Sequence, residues 1–266
     1  MSASAILTYR GASGTERRGN LDAVLAWLAR TPDLEVVVVE QDTHPRLVPP
    51  LVHERASVVF AYNAGPFNKA WGLNVGARAS GGSVLLFGDA DVIVPGGLGD
   101  AARLCAGRAQ VVKPYRDLID LTSEASARVR ELGADALAGH DAALARNRDG
   151  IGERLSLCGG WFAIRRDAFA ALGGFDERFV GWGGEDDAMT TKVERVRLAT
   201  FELDGGPALH LWHPRSVPAT SGHAHYASNL ALLADYAAYD DDTLARLFEV
   251  QRQGCGRRDK YRPWPR

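Results

Sequence analysis

Four consecutive valines, Val36 to Val39, constrain this chain most. A β-branched run with no polar alternation suits a strand covered on both faces, as in a parallel sheet between helix layers. Similar apolar runs flank it: Ala5-Ile6-Leu7-Thr8-Tyr9, Ser57-Val58-Val59-Phe60 and Ser83-Val84-Leu85-Leu86-Phe87. Between them lie two segments with helical apolar spacing. One runs from Leu21 to Leu28 with Asn20 as its expected cap, the other from Lys69 to Ala79 with Asn68 as its cap. Alternating strands and helices predict an α/β fold with a central, mostly parallel sheet and right-handed crossovers. Ligands of such sheets bind beyond the carboxyl ends of the strands. Attention therefore falls on Tyr9-Arg10-Gly11, on Glu40-Gln41-Asp42 and on Gly88-Asp89-Ala90-Asp91, where a nucleotide would dock.

The 266 residues fit one large α/β domain, and an apolar share of 46% supplies a sizeable core. A formal net charge of -2 argues against a nucleic-acid partner. No apolar run approaches the roughly 20 residues that span a bilayer, and the N-terminal segment lacks the basic start of a signal peptide. The expected location is cytoplasmic. Cys105, Cys158 and Cys255 are widely spaced without a CxxC pair, which fits neither a disulfide framework nor a cysteine zinc site. Cys158 reads as a small buried residue.

Past residue 100 the pattern is less regular. Residues 122–154, rich in Ala, Arg, Asp and Glu, read as an exposed helical excursion or a mobile lid. Leu157 to Ile164 reads as a glycine-containing strand, and Arg166 to Leu172 as a short helix stopped by Gly173-Gly174. Arg257 to Arg266 carries five basic residues with Tyr261 and Trp264 and reads as a loose, solvated tail, with a weak peripheral contact to anionic lipid or a lipid-linked acceptor as the alternative.

Four segments carry chemistry. Asp89-Ala90-Asp91 offers two carboxylates one residue apart; on extended backbone they point to opposite sides and can serve different partners. Carboxylates suit Mg²⁺ or Mn²⁺, which neutralise a diphosphate leaving group. His210-Leu211-Trp212-His213 places two imidazoles three apart, on a helical turn or flanking a bend, and imidazole joins carboxylate on Mn²⁺. His223 and His225 are further candidates, with an all-histidine zinc site as the weaker alternative. Gly181-Trp182-Gly183-Gly184-Glu185-Asp186-Asp187 puts three acids at an expected helix start, where the dipole stabilises them. Its tryptophan is a platform for a sugar ring, and a carboxylate beside it can take a proton from an acceptor hydroxyl. The helix start at Asn68-Lys69 can face a phosphate.

In order and content, FNKAWGLNVGA, LLFGDADVIVP, CGGWFAIRRDAFAALGGFDERFVGWGGEDD and HLWHP resemble segments of GT-A fold glycosyltransferases. The resemblance is to the β-1,4-galactosyltransferase-like group and its bacterial family 2 relatives. It implies a Rossmann-like GT-A domain over 1–215, with a donor half to about residue 100 and an acceptor half beyond. Residues 216–266 become a helical extension and basic tail packed on the same domain. The resemblance makes Asp89 and Asp91 the DxD pair, with Asp91 the direct metal ligand and either His210 or His213 joining it on Mn²⁺ or Mg²⁺. Tyr9, Arg10, Glu40, Phe67 and Lys69 fall to the nucleotide sugar. Trp182 and Glu185 hold sugars, Asp186 is the base of an inverting transfer and Asp187 binds the acceptor.

The implied reaction moves a hexose, galactose-like, from a nucleoside-diphosphate sugar, UDP favoured, to a saccharide or glycan hydroxyl. There are departures: the family's second arginine is Ala12 here, with Arg17 or Arg18 as replacement, and a third aspartate after the acidic run is Ala188. The alternatives are a retaining transferase on the same fold, a sugar-nucleotide nucleotidyltransferase and a non-catalytic sugar-binding module. Nothing in the sequence sets the oligomeric state.

Overall fold

A computed structural model describes all residues except 1, 12–14, 49–50, 138–143, 149–155, 158–159, 215–221 and 263–266, and only the backbone of 144–148. Cys158, Ala12 and Trp264 thus lie outside the described residues. The strands are β1 (Ala3–Tyr9), β2 (Leu34–Asp42), β3 (Ala56–Tyr62), β4 (Val84–Gly88), β5 (Val92–Ile93), β6 (Val111–Lys113), β7 (Leu118–Leu121), β8 (Leu144–Arg148), β9 (Phe162–Arg165), β10 (Thr200–Glu202) and β11 (Ala208–His210). The helices are α1 (Thr15–Leu28), α2 (Lys69–Ala79), α3 (Leu98–Gly107), α4 (Ser123–Leu132), α5 (Arg166–Ala171), α6 (Glu185–Arg195), α7 (Tyr226–Ala238) and α8 (Asp241–Gly254), with a 3₁₀ turn at Ala134–Leu137.

The large sheet runs β10-β6-β9-β4-β1-β2-β3. Its strands are parallel except β9, which is antiparallel to both β4 and β6. Both faces are covered, as the valine run requires. Val36 and Val38 share one core with Leu21, Val24 and Leu25 of α1, while Val37 and Val39 pack with Trp71 and Val75 of α2. On β4, Val84 and Leu86 face the α1 side, and Leu85 and Phe87 face a second core built from α2, α5, α6, α7 and α8. Phe87 meets the rings of Phe162, Phe169 and Phe175 at 4.8–5.5 Å between centroids. Burying each such ring contributes about 2–3 kcal/mol, and Phe87→Ala would cost about 3–5 kcal/mol.

Helix α2 begins where the sequence places it. Asn68 Oδ1 accepts a hydrogen bond from Trp71 N at 2.8 Å. Gly72 lets the helix lie close on the sheet, since a Cβ there would come within 2.3 Å of Thr8 Oγ1 and Gln41 Nε2.

Three expectations need correction. Asn20 does not cap α1, which starts at Thr15; it is buried inside the helix, and its Nδ2 donates to the Trp212 carbonyl at 3.1 Å. Within residues 122–154, helix α4 is not an exposed excursion, because its Ala125 and Val129 enter the main core, and β8 pairs with β7; residues 138–143 and 149–154 lie outside the described residues. Residues 257–262 are not a loose tail. Tyr261 packs edge-on against Trp71 at 4.8 Å and accepts from Asn68 Nδ2 at 2.9 Å, while Arg258 donates to the Phe60 carbonyl at 2.7 Å.

A second sheet, β5-β11-β7-β8, has no counterpart among the sequence expectations. Its strands are two to five residues long, too short to announce themselves by pattern. It sets His210 of β11 beside Val92 of β5 and Asp120 of β7. Among the described residues no helix is long and apolar enough to cross a membrane.

Candidate active site

Strand β4 is held between β1 and β9 and ends at Gly88, so the turn after it is rigidly placed. That turn runs from Asp89 to Val92, with Val92 N donating to the Asp89 carbonyl at 3.3 Å. The two aspartates do serve different partners, but a turn separates them and not the alternation of an extended strand. Asp89 faces α2 and α6. Asp91 faces β11.

On the first side, the Lys69 ammonium joins three carboxylates: Asp89 at 2.8 Å, Asp186 at 3.1 Å and Glu185 at 3.3 Å. These side chains keep only 10–26% of their surface exposed. Burial disfavours the charge on Lys69, yet the three acids outweigh it and raise its pKa well above that of a free lysine. Asp186 moves up as well. Burial is the main cause and its acidic neighbours Glu185 and Asp89 add to it, against the pull of Lys69. Three acids around one ammonium leave a proton held more tightly than an isolated carboxylate would hold it.

Glu185, Asp186 and Asp187 open α6, as the sequence indicates. The glycines before them set the path of the loop. Gly181, Gly183 and Gly184 all have positive φ, between 75° and 97°, so the loop needs them for its backbone path. At Gly184 a Cβ would also come within 2.7 Å of the Phe179 ring. Asn229 of α7 secures this loop, its Nδ2 lying 2.9–3.1 Å from the carbonyls of Val180, Trp182 and Gly183. Trp182 is 41% exposed, and the rings of His223 and Tyr226 lie nearly parallel to its indole at 5.7 and 5.8 Å. Asp187 is exposed.

On the second side, Asp91, His210 and His213 place one ligand atom each within 4.8 Å of one another. His213 Nε2 is 3.3 Å from Asp91 Oδ2, and His210 Nε2 is 3.8 Å from Asp91 Oδ1. The histidines sit at the end of β11 and just past it, not on a helix. Burial opposes the charge of Asp91, but the hydrogen bond from His213 and the His210 charge outweigh it and hold the carboxyl down to about 2. The segment is clamped along its length. Leu211 N donates to the Asp91 carbonyl at 2.8 Å, Trp212 N donates to Ser126 Oγ at 2.7 Å, and Asn20 holds the Trp212 carbonyl. One carboxylate and two imidazoles make a donor set that fits Mn²⁺. His223 and His225 do not join it, since His223 lies against Trp182 and His225 precedes α7.

The remaining expected residues surround β1 and β2. Tyr9 ends β1, nearly buried. Three nitrogens of Arg10 donate to the carbonyls of Gln41, Asn63 and Gly65 at 2.8–3.1 Å, and its guanidinium lies 5.7 Å over the Phe67 ring. Glu40 is fully buried and accepts from the backbone N–H groups of Arg46 and Leu47, so it fixes the loop after β2 from inside. Of the two candidate replacements for the missing arginine, Arg18 pairs with Asp22 at 3.0 Å, whereas the charge of Arg17 reaches Asp91.

Sequence reading missed Ser126, Asn229 and Asp120, and took Asn20 only for a helix cap. The signal it could have used was the same each time: a polar residue on the apolar face of an element, as in Leu118-Ile119-Asp120-Leu121.

Residues 152–214 match a family described as the N-terminal domain of galactosyltransferase. The β-1,4-galactosyltransferase 4 proteins of Mus musculus and Rattus norvegicus are each 34% identical to this chain over 73 residues, which is 26% of this chain. The match takes in 21% of their length, so it spans about a fifth of those relatives. Similarity of fold reaches much further. GalNAc-T7, solved with UDP, GalNAc and Mn²⁺, superposes on 96% of this chain and 55% of its own at a TM-score of 0.59 and 15% identity. The mannosyltransferase PcManGT from Pyrobaculum calidifontis, solved with GDP-Man and Mn²⁺, covers 94% of this chain and 68% of its own at 0.54 and 16%. The chain thus has the GT-A fold along nearly its whole length, and its segment 152–214, around the acidic helix start, is similar to the N-terminal domain of galactosyltransferase.

Proposed function

We propose that this chain is an inverting, divalent-metal-dependent glycosyltransferase that moves a hexose from a nucleoside-diphosphate sugar to a hydroxyl of a saccharide acceptor. One observation carries the reading. The Asp89–Asp91 turn sets Asp91, in a triad that could hold a cation, one residue from Asp89, in a cluster of acids gathered on Lys69 that includes Asp186. The structures of GalNAc-T7 with UDP and Mn²⁺ and of PcManGT with GDP-Man and Mn²⁺ support a nucleotide-sugar donor and Mn²⁺. The galactosyltransferase relatives favour UDP and a galactose-like sugar.

Asp91, His210 and His213 would hold the cation, whose chemistry is to neutralise the departing diphosphate. Trp182 offers an aromatic surface to a sugar ring beside the acids. Asp186 takes the proton of the acceptor hydroxyl. The acceptor oxygen bonds to the anomeric carbon as the bond to the nucleoside diphosphate breaks on the opposite face, so configuration inverts. A base raised above the ordinary carboxylate range is stronger in this role than a free aspartate. Lys69 keeps Asp186 and Asp89 in place, and Asp187 meets the acceptor from the exposed side of α6.

The test is Asp186→Asn, which keeps the shape and removes the base. Nucleoside diphosphate binding with Mn²⁺, measured by calorimetry, should persist, while transfer falls by about 10²–10⁴-fold. Undiminished transfer would overturn the assignment, and NMR of the product's anomeric configuration checks inversion. A thermal-shift screen of nucleotide sugars with Mn²⁺ identifies the donor, since the tightest ligand raises stability most.

A further inference from the structure

We propose that Asp120 is a positioning residue for the cation, acting through His210; this rests on reading Asp91, His210 and His213 as the cation site. Strands β7 and β11 are parallel neighbours, and their register sets Asp120 directly beside His210. Asp120 Oδ1 lies 2.7 Å from His210 Nδ1. A carboxylate only accepts, so the proton of this contact sits on Nδ1, and the lone pair of a neutral ring is left on Nε2. That nitrogen is the one facing Asp91. The arrangement fixes the ring's rotation and its tautomer together, and a negative partner at Nδ1 makes Nε2 a stronger donor to a metal.

The two histidines differ in this respect. His213 Nδ1 meets the Pro214 carbonyl at 3.1 Å, a neutral acceptor supplied by the next residue. His210 has a charged partner from another strand, which the β7–β11 pairing holds in place. Asp120 is 22% exposed and His210 14%, so solvent screens the pair only in part. The position of an acid within the apolar strand Leu118–Leu121 also needs a reason, and the His210 contact supplies one.

The experiment titrates the 266-residue chain with Mn²⁺ alone, read by calorimetry and by the EPR signal of the free ion. Asp120→Asn keeps an acceptor oxygen and the side-chain shape while removing the charge. Its Kd for Mn²⁺ should rise by about 10–100-fold. In a His210→Ala background the same substitution should change the Kd by less than about twofold, because an effect transmitted through His210 vanishes with it. A Kd for Asp120→Asn equal to wild type overturns the proposal. So does an equal loss in both backgrounds, which would show a general charge effect. Long-range ¹H–¹⁵N NMR of the metal-free wild type at pH 9 gives a check without any variant. The proton of neutral His210 should be on Nδ1, and finding it on Nε2 overturns the proposal. A wild type that binds no Mn²⁺, or binds it equally well after Asp91→Asn, would remove the cation site and with it the role of Asp120. Loss of the Asp120 effect alone leaves that site standing.

Discussion

Replacing Lys69 with methionine tests the acidic half of the site independently of any substrate. Methionine keeps most of the aliphatic stem and removes the ammonium, leaving Asp89, Glu185 and Asp186 facing one another without compensation. At about 3 Å and an effective dielectric constant near 20, each pair is worth about 5 kcal/mol of bare attraction. Most of that is offset by the desolvation of the ions. Breaking a fully buried pair costs about 3–5 kcal/mol. Here the acids keep 10–26% exposure, so screening lowers the expected loss to about 2–4 kcal/mol at pH 8. The pH dependence has a definite sign. Removing the ammonium removes the pull that lowers Asp186, so the folded variant binds more protons than the folded wild type at pH 8 and its deficit grows as pH rises. At pH 5 Asp186, raised to about 8 already in the wild type, is protonated in both forms. The deficit of the variant relative to wild type should therefore be smaller at pH 5 than at pH 8. The assay is urea unfolding followed by tryptophan fluorescence at pH 5 and pH 8 in EDTA, so that no cation sits beside Asp89. An equal deficit at the two pH values would mean that Lys69 acts through packing and would refute the electrostatic argument.

Gly184→Ala should destabilise the protein by about 1–3 kcal/mol, because a Cβ there meets the Phe179 ring and the backbone has φ 97°; an unchanged urea midpoint contradicts this. Tyr261→Phe removes the oxygen that accepts from Asn68 and should cost about 0.5–1.5 kcal/mol, and Tyr261→Ala should cost more by also losing the contact with Trp71. A Tyr261→Ala variant as stable as wild type would mean that residues 257–262 contribute nothing to the fold. If Asp186 is the base, it must be ionised to act, so kcat/KM should fall as pH falls through its pKa. That limb should lie well above the ordinary carboxylate range, since burial raises Asp186 to about 8; a profile flat from pH 6 to 9 would count against it.

The large sheet was legible because burial on both faces leaves an unambiguous mark. The run from Val36 to Val39 has no polar position, and its residues alternate between the α1 and α2 sides of the core. Helix α2 was legible down to its cap, since the Asn68 side chain takes the place of a missing turn. The second sheet was hidden by its short strands. Asn20 was misread because its type favours a helix start, whereas tertiary contacts with the His210–His213 segment fix it mid-helix. The basic tail misled for a similar reason: charge suggested solvent, but Tyr261 carries the docking and Lys260 finds Glu177 at 2.8 Å. At the site, the Asp and His residues that meet in space were each visible in sequence. The register that makes Asp120 their neighbour was not, because it depends on two short strands finding each other across 90 residues.

The placement of Asp89 and Asp91 explains how a chain of this fold can hold two clusters with opposite electrical needs so close together. A cation site requires anionic or neutral donors with no competing ammonium group, and Lys69 on the same carboxylates would weaken it. The cluster of Asp89, Glu185 and Asp186 is the reverse case, since it needs a cation near enough to hold several acids together. A flexible loop would let Lys69 reach both aspartates. The turn closed by Val92 N and Asp89 O prevents this, because β4 is fixed on one side by the central sheet and β5 on the other by β11. Asp89 is thereby committed to Lys69 and Asp91 to the imidazoles. Under the proposed function, leaving-group stabilisation and proton removal lie on two sides of one rigid turn. Their spacing is then set by the backbone geometry of that turn.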